Sequence, residues 1–318
     1  MPQKNKMSYS KMDTYKQCNY KYKLTYVDGV KAWADTVATK FGTIIHNNEE
    51  AIANLIKEGK PIDYTQLKNA LIVEAAGLER MFPKEYRAPD KSGKTYYEKL
   101  YAYLESGIYR LENFIKSNPN LEIVAAEQSF GFDYNGYYFN GKIDRIIKNK
   151  ETGEYLLQDI KTWPEPAKEA DLKVPLQFVF YVMAMKHLYG CDESAIKCQY
   201  DLPLCDLTQD AGSAGYMKKG VEKINKLLAD IENSVASGVF VPNPTPLCHW
   251  CNFCPTNPHQ PEAGKGYCPY YMKWTRENPT FYKQFAWEGQ ENHERILEEF
   301  RSELRANAKS PADGAMAQ

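Results

Sequence analysis

The spacing of apolar residues changes character once along the chain. Before residue 121 it is helical. Tyr9, Met12, Tyr15, Cys18, Tyr22 and Tyr26 recur every three or four positions, which predicts a helix over 8–27 behind a serine-rich cap. The same period predicts helices over 37–58, ended by Gly59 and Pro61, over 64–78, and over 95–117, where Asn118-Pro119-Asn120 breaks it. The stretch from Phe82 to Gly93, with two prolines and mixed charge, reads as a loop. From Leu121 the period becomes two. Phe130, Phe132 and Tyr134 alternate with smaller or polar residues, and Asn135-Gly136 is a hairpin signal. Residues 121–161 therefore form consecutive, mostly antiparallel strands.

Beyond the strands, 172–190 is apolar nearly all round and predicts a buried helix ended by Gly190. A strand over 195–207 and an amphipathic helix over 214–236 follow. A proline-rich passage then leads to a cysteine cluster between Cys248 and Cys268, and a surface helix over 288–307 precedes a small polar tail. The order predicts an α/β fold in four parts. Residues 1–120 form an N-terminal helical part carrying Cys18 and His46, 121–240 the core, 241–280 a cysteine-rich metal-binding segment, and 281–318 a helix and flexible tail. No internal repeat is present.

Composition narrows the field. Apolar residues make up 43% and charged residues 25%, as in ordinary globular proteins. No apolar run is long enough to span a membrane, and MPQKNKMSYSKMD has no apolar signal core, so a cytoplasmic location (a bacterium or phage-infected cell) is expected, with no membrane partner. In a reducing compartment eight cysteines point to free thiols or metal ligation. The net charge of −1 gives no global basic footprint, so a nucleic-acid partner needs a local groove. Lys11, Lys16, Lys21 and Lys23, interleaved with tyrosines, could line one or could simply form a solvated helix face.

The chemistry concentrates in GKIDRIIKNKETGEYLLQDIKTW, residues 141–163. Asp144 lies in its first apolar run; Asp159 and Lys161 close the second. If the runs are strands of one hairpin, two carboxylates and an ammonium meet at one end. Mg²⁺ or Mn²⁺ takes oxygen ligands of that kind, and a bound water acidified by the cation can attack a phosphodiester. An Asp-x-Lys triplet alone is more often a surface ion pair.

GKIDRI and QDIKTW, with fourteen residues between Asp144 and Asp159, resemble the core of the PD-(D/E)XK nucleases, and within them the RecB-like branch that includes CRISPR-associated exonucleases. Ser10 to Cys18 with Tyr26 resembles that branch's N-terminal signature, although Asn19 stands where proline is usual. Gly42 and His46 resemble its G-x-x-x-H helix, Glu127 its glutamate at the sheet entry, and Gln177 and Tyr181 its Q-x-x-x-Y helix. The resemblance implies a restriction-endonuclease-like core, a mixed sheet flanked by helices. It implies His46, Asp144, Asp159 and the Ile160 carbonyl as metal ligands, Lys161 as the residue assisting the attacking water, and Gln177, Tyr181 and Glu127 as supporting residues. Glu127 reads as a strand-end charge or, alternatively, as a second-metal ligand.

Cys248, Cys251 and Cys254 make two nested C-x-x-C steps, followed by Cys268, and four thiolates suffice for a zinc site. The resemblance implies instead a [4Fe–4S] cluster on Cys18, Cys248, Cys251 and Cys268. The inserted CPTNPHQPEAGKGY leaves Cys254 as an alternative third ligand. The expected function is a Mg²⁺- or Mn²⁺-dependent deoxyribonuclease, an exonuclease on single strands or DNA ends, working in repair, recombination or phage and mobile-element DNA processing, with a recombination or replication protein as partner. The competing readings are a non-catalytic nucleic-acid- or protein-binding module on the same fold, and a zinc-binding regulator.

Overall fold

A computed structural model describes residues 5–270 apart from 91, 256 and 258, together with residues 298 and 302. Apart from those last two positions, the helix expected over 288–307 and the tail lie outside the described residues. The N-terminal helices are α1 (Tyr9–Gln17), α2 (Asn19–Tyr22), α3 (Val37–Lys57), α4 (Tyr64–Met81), α5 (Pro83–Arg87), α6 (Tyr96–Glu105) and α7 (Arg110–Ser117). The strands are β1 (Lys6–Met7), β2 (Leu121–Tyr134), β3 (Tyr137–Asn149), β4 (Tyr155–Ile160), β5 (Ile196–Leu202) and β6 (Leu207–Ala211). Helices α8 (Glu169–Leu172) and α9 (Leu176–Tyr189) separate β4 from β5, and α10 (Tyr216–Ser237) follows β6.

Several departures from the sequence pattern have local causes. The single helix read over 95–117 breaks at Gly107, where a Cβ would stand 2.6 Å from the Pro203 carbonyl oxygen and 2.5 Å from Tyr103 Cδ2. Only glycine permits that approach. The helix read over 172–190 starts afresh at Leu176, because Pro175 has no N–H and turns the preceding residue out of the α region. Pro203 likewise ends β5, and Asp206, with φ 53°, turns the chain into β6, so the strand read over 195–207 is a hairpin. Part of the expected loop over 82–93 is the short helix α5, with Pro83 at its first turn, where the missing N–H costs nothing.

Contacts group the chain into two compact units, residues 1–9 with 35–223, and residues 10–34 with 224–318. The first holds a six-stranded sheet in the order β1-β3-β4-β5-β6, with β2 also paired to β3. β2, β3 and β4 run antiparallel in sequence. β4 and β5 run parallel, and the α8–α9 segment supplies the crossover such a pair requires. Phe41, Ile45 and Ile52 of α3 pack with Leu71 and Leu78 of α4, Leu100 and Tyr103 of α6, Leu111 of α7, and Ile123 and Ile147 of the sheet. Aromatic contacts hold α9 to the strands, Phe180 on Phe139, Phe178 on Tyr200 and Tyr181 on Phe130. The start of α10 packs closely on α9; a Cβ on Gly220 would stand 2.3 Å from Val179 Cγ2.

In the second unit Leu24, Ala32 and Phe253 form a small core flanked by Tyr20, Val30, Cys251 and Cys268. The Tyr15 hydroxyl donates to the Asp230 carbonyl at 2.8 Å, and Asn252 donates to the Ala32 carbonyl at 2.8 Å. Residues far apart in sequence are thereby joined.

Candidate active site

Asp144 and Asp159 come together because β3 and β4 form the expected hairpin. Their ladder runs from Lys148↔Tyr155 to Arg145↔Gln158, and the two aspartates sit one position past its end. There the strands part. The Ile160 N–H donates to Asp144 Oδ2 at 2.7 Å, and the Lys161 N–H donates to the Asp201 carbonyl at 2.8 Å. The site thus lies where the sheet's own hydrogen bonds stop and side chains take over.

α3 supplies His46, whose Nδ1 is 3.8 Å from Asp144 Oδ2. Gly42, one turn earlier, explains how the helix comes so close: a Cβ there would stand 3.3 Å from Thr162 Oγ1. Glu127 completes the group. It and Asp144 face each other in a gap of the β2–β3 ladder, between Ala126↔Arg145 and Gln128↔Ile143. Its φ of 48° is in the left-handed region, a strained conformation for a residue with a side chain and one that concentrates at functional positions. Among the described residues, His46, Glu127 and Asp144 form the one set of three potential metal-ligating side chains whose donor atoms lie within 4.8 Å of one another.

Asp159 stands behind this group, fully buried. Its Oδ1 accepts from Gln177 Nε2 at 2.7 Å and from the Tyr181 hydroxyl at 3.0 Å. Its Oδ2 pairs with Lys161 Nζ at 2.6 Å, an ion pair that is not directed as a hydrogen bond. Gln177 also accepts from Lys161 Nζ at 3.2 Å and donates to the Tyr181 hydroxyl at 2.9 Å. The i, i+4 pair on α9 and the Asp-x-Lys pair on β4 make one closed network.

The electrostatics reflect burial. Desolvation, followed by the neighbouring charge of Asp159, pushes the Asp144 carboxyl up to about 7. Burial holds His46 below the ordinary imidazole range, against the pull of Asp159, so its ring is neutral near pH 7 and has a lone pair free to bind a cation. Burial, and then the Asp159 charge, raises the Tyr181 hydroxyl far above its ordinary value, keeping it a donor.

His46, Asp144, Asp159, Lys161, Gln177 and Tyr181 are thus brought together. Glu127 stands with His46 and Asp144, while Asp159 turns its oxygens to Lys161, Gln177 and Tyr181. The Ile160 N–H is engaged by Asp144. Sequence reasoning passed over Arg145, a buried charge immediately after Asp144. A charged side chain at an inward position of an apolar strand was the signal available.

All eight cysteines are free thiols. Cys18, Cys248, Cys251, Cys254 and Cys268 line one pocket of the second unit. The Cys18 sulfur accepts from the Asn243 N–H at 3.4 Å and Cys248 from the Thr245 N–H at 3.4 Å, while the Cys268 thiol donates to the Tyr270 carbonyl at 3.2 Å. Burial pushes Cys251 up to about 11 and Cys268 higher still. No three of these sulfurs lie within 4.8 Å of one another, whereas a tetrahedral thiolate zinc site needs sulfurs about 3.8 Å apart.

A mixed sheet flanked by helices, with carboxylates, a lysine and a histidine gathered where two strands part, defines a nuclease of the restriction-endonuclease-like fold. The sequence matches the PD-(D/E)XK nuclease superfamily over residues 6–257, and the chain belongs to that superfamily. Its members are nucleases that use divalent metals. The chain is also similar to a crystal structure from Eubacterium rectale described provisionally as an exonuclease, at 12% identity and a TM-score of 0.44, over 78% of this chain and 87% of that one. No curated protein matches it.

Proposed function

We propose that the chain is a Mg²⁺- or Mn²⁺-dependent deoxyribonuclease of the RecB-like branch, an exonuclease acting on single strands or DNA ends in recombination, repair or mobile-element DNA processing. The observation that carries this reading is the convergence of His46, Glu127 and Asp144 beside the Asp159–Lys161 pair. One imidazole and two carboxylates suit such a cation, and a dication would offset the burial and neighbouring Asp159 charge that lift Asp144.

His46, Glu127 and Asp144 would hold the cation. When bound, it acidifies a coordinated water and offsets charge on the phosphoryl oxygens. Lys161 orients the attacking water and adds positive charge where the transition state gathers negative charge. Asp159 anchors Lys161 through Oδ2, while Gln177 and the Tyr181 hydroxyl hold its Oδ1. Gln177 touches both Asp159 and Lys161 and so fixes the ammonium's direction.

Cys18, Cys248, Cys251 and Cys268 hold a [4Fe–4S] cluster in this reading, with Cys254 as alternative ligand. The pocket that brings Cys18 beside the three C-terminal cysteines supports it. The eight free thiols accord with a reducing, cytoplasmic location.

The test uses linear and circular single-stranded DNA with Mn²⁺, Mg²⁺ or EDTA. Degradation of the linear form alone, abolished by EDTA, is expected. Cleavage of the circle would replace the exonuclease reading with an endonuclease, and intact DNA with folded, metal-loaded protein would refute the activity.

A further inference from the structure

Below the site lies a buried ionic cluster that the proposed chemistry does not use. Arg145 is 1% exposed. One of its terminal nitrogens, Nη2, donates to Glu49 Oε2 at 2.7 Å. The other, Nη1, donates to Asp201 Oδ2 at 2.8 Å and to Gln158 Oε1 at 2.7 Å. Glu49 and Asp201 are 2% and 5% exposed. The Tyr103 hydroxyl lies 2.7 Å from Glu49 Oε1, and Arg110 pairs with Asp201 Oδ1 at 3.1 Å.

Every member adjoins the site on a different element. Glu49 is on α3, three residues and almost one turn after His46. Arg145 follows Asp144 on β3, and Gln158 precedes Asp159 on β4. Asp201 of β5 accepts the Lys161 N–H through its backbone carbonyl. The guanidinium thus ties α3, β3, β4 and β5 together, and because successive strand residues point to opposite faces, Asp144 and Asp159 point away from it on β3 and β4.

We propose that Arg145, Glu49, Asp201 and Gln158 are positioning residues, a clamp that sets the mutual placement of His46, Asp144, Asp159 and Lys161. This rests on the reading of His46, Glu127 and Asp144 as a cation site. A buried ion cluster is a poor way to gain stability, because desolvating each ion costs several kcal/mol and apolar side chains of the same volume often serve the fold as well. Its advantage is directional. A planar guanidinium reaches three acceptors at fixed angles, which neither apolar packing nor an ammonium can do. A cation site tolerates misplacement of about 0.5 Å, so a directional tether between α3 and β3 is the device it requires.

The test measures Mn²⁺ affinity by electron paramagnetic resonance of the free ion, with circular dichroism as the check on folding. Three variants of the full chain are compared with wild type: His46→Ala, the double variant Glu49→Met/Arg145→Met, and Arg145→Lys. The double variant removes one charge of each sign and leaves Asp201 paired with Arg110. Arg145→Lys keeps the charge and loses the fork. Both are expected to fold and to bind Mn²⁺ about ten- to hundredfold more weakly, the usual scale for residues that orient ligands. If wild type binds no Mn²⁺, or His46→Ala binds it normally, the cation-site reading fails. If those two behave as expected and a folded clamp variant binds like wild type, the clamp is overturned. Loss of folding in both clamp variants would overturn it too, because the cluster would then serve stability alone.

Discussion

Asp144 links the site to pH through its raised carboxyl. Its folded-state value of about 7 lies above the ordinary 3.8, so the folded protein holds this proton more tightly than the unfolded chain. Both states are protonated below pH 4. The folded state is penalised as pH rises from about 4 through 7, by on the order of 4 kcal/mol at most. Without a divalent cation, thermal unfolding should therefore show this group costing stability at pH 8 relative to pH 5, and Asp144→Asn should remove that component. A cation competes with the proton, so Mn²⁺ affinity should fall about tenfold per unit below pH 7. Affinity independent of pH between 5 and 7 would contradict this placement of the carboxyl. Tyr181→Phe deletes one of two donors to Asp159 Oδ1. It should lower stability by about 1–2 kcal/mol and leave the Mn²⁺ affinity near wild type, because Tyr181 touches no member of the ligand group. At this scale Asp144, Asp159, Lys161, Gln177 and Tyr181 were legible because each lies in a short motif with a fixed offset. For Glu127 the sequence left a metal ligand and a strand-end charge both open, because a left-handed residue inside a strand leaves no mark on hydrophobic alternation.

The elements that matter are those that end or bend at the site. Glu127 occupies φ 48° in a strand, and glycine would adopt that conformation without strain. Glu127→Gly should be more stable than Glu127→Ala by about 1 kcal/mol in metal-free denaturation, while both lose Mn²⁺ affinity. Equal stabilities would show that the backbone relaxes there. Gly42 sets how near α3 comes to the residues after β4. Gly42→Ala presses on Thr162 Oγ1 at 3.3 Å, so Thr162→Ser/Gly42→Ala does not relieve it, whereas Thr162→Ala/Gly42→Ala should restore activity lost in Gly42→Ala. The helical periods of α3 and α4 and the β2–β3 hairpin were plain in the sequence because local propensity and tertiary burial agree there. The break of the helix read over 95–117 and the β5–β6 hairpin were missed. The first follows from the Pro203 carbonyl crowding Gly107, a contact no window of sequence contains, whereas Pro203 itself lay within the stretch read as one strand and was the signal available for the second.

In the whole molecule, contacts join residues 10–34 to the segment beginning at 224, although more than 180 residues of the first unit separate them in sequence. The linear borders drawn from periodicity could not express that grouping, since it depends on pairs such as Tyr15 with Ser234 and Ala32 with Asn252. A cluster tying Cys18 to Cys248, Cys251 and Cys268 would close this long loop, a constraint worth at most about 5 kcal/mol by loop entropy. Anaerobically purified protein should be brown, and Cys18→Ser should be colourless and melt at lower temperature. Colourless protein containing zinc would overturn the iron–sulfur reading and leave the nuclease site untouched.

Lys161 decides whether the residues gathered where β3 and β4 part cleave DNA with a bound cation, as proposed. It is the ammonium paired with Asp159 and lies outside the ligand group, so Lys161→Ala should keep Mn²⁺ binding while losing chemistry. Single-turnover cleavage of end-labelled single-stranded DNA at saturating Mn²⁺ should be slowed about 10²-fold or more relative to wild type. Cleavage by Lys161→Ala at the wild-type rate, or no cleavage by folded, Mn²⁺-loaded wild type, would contradict the account.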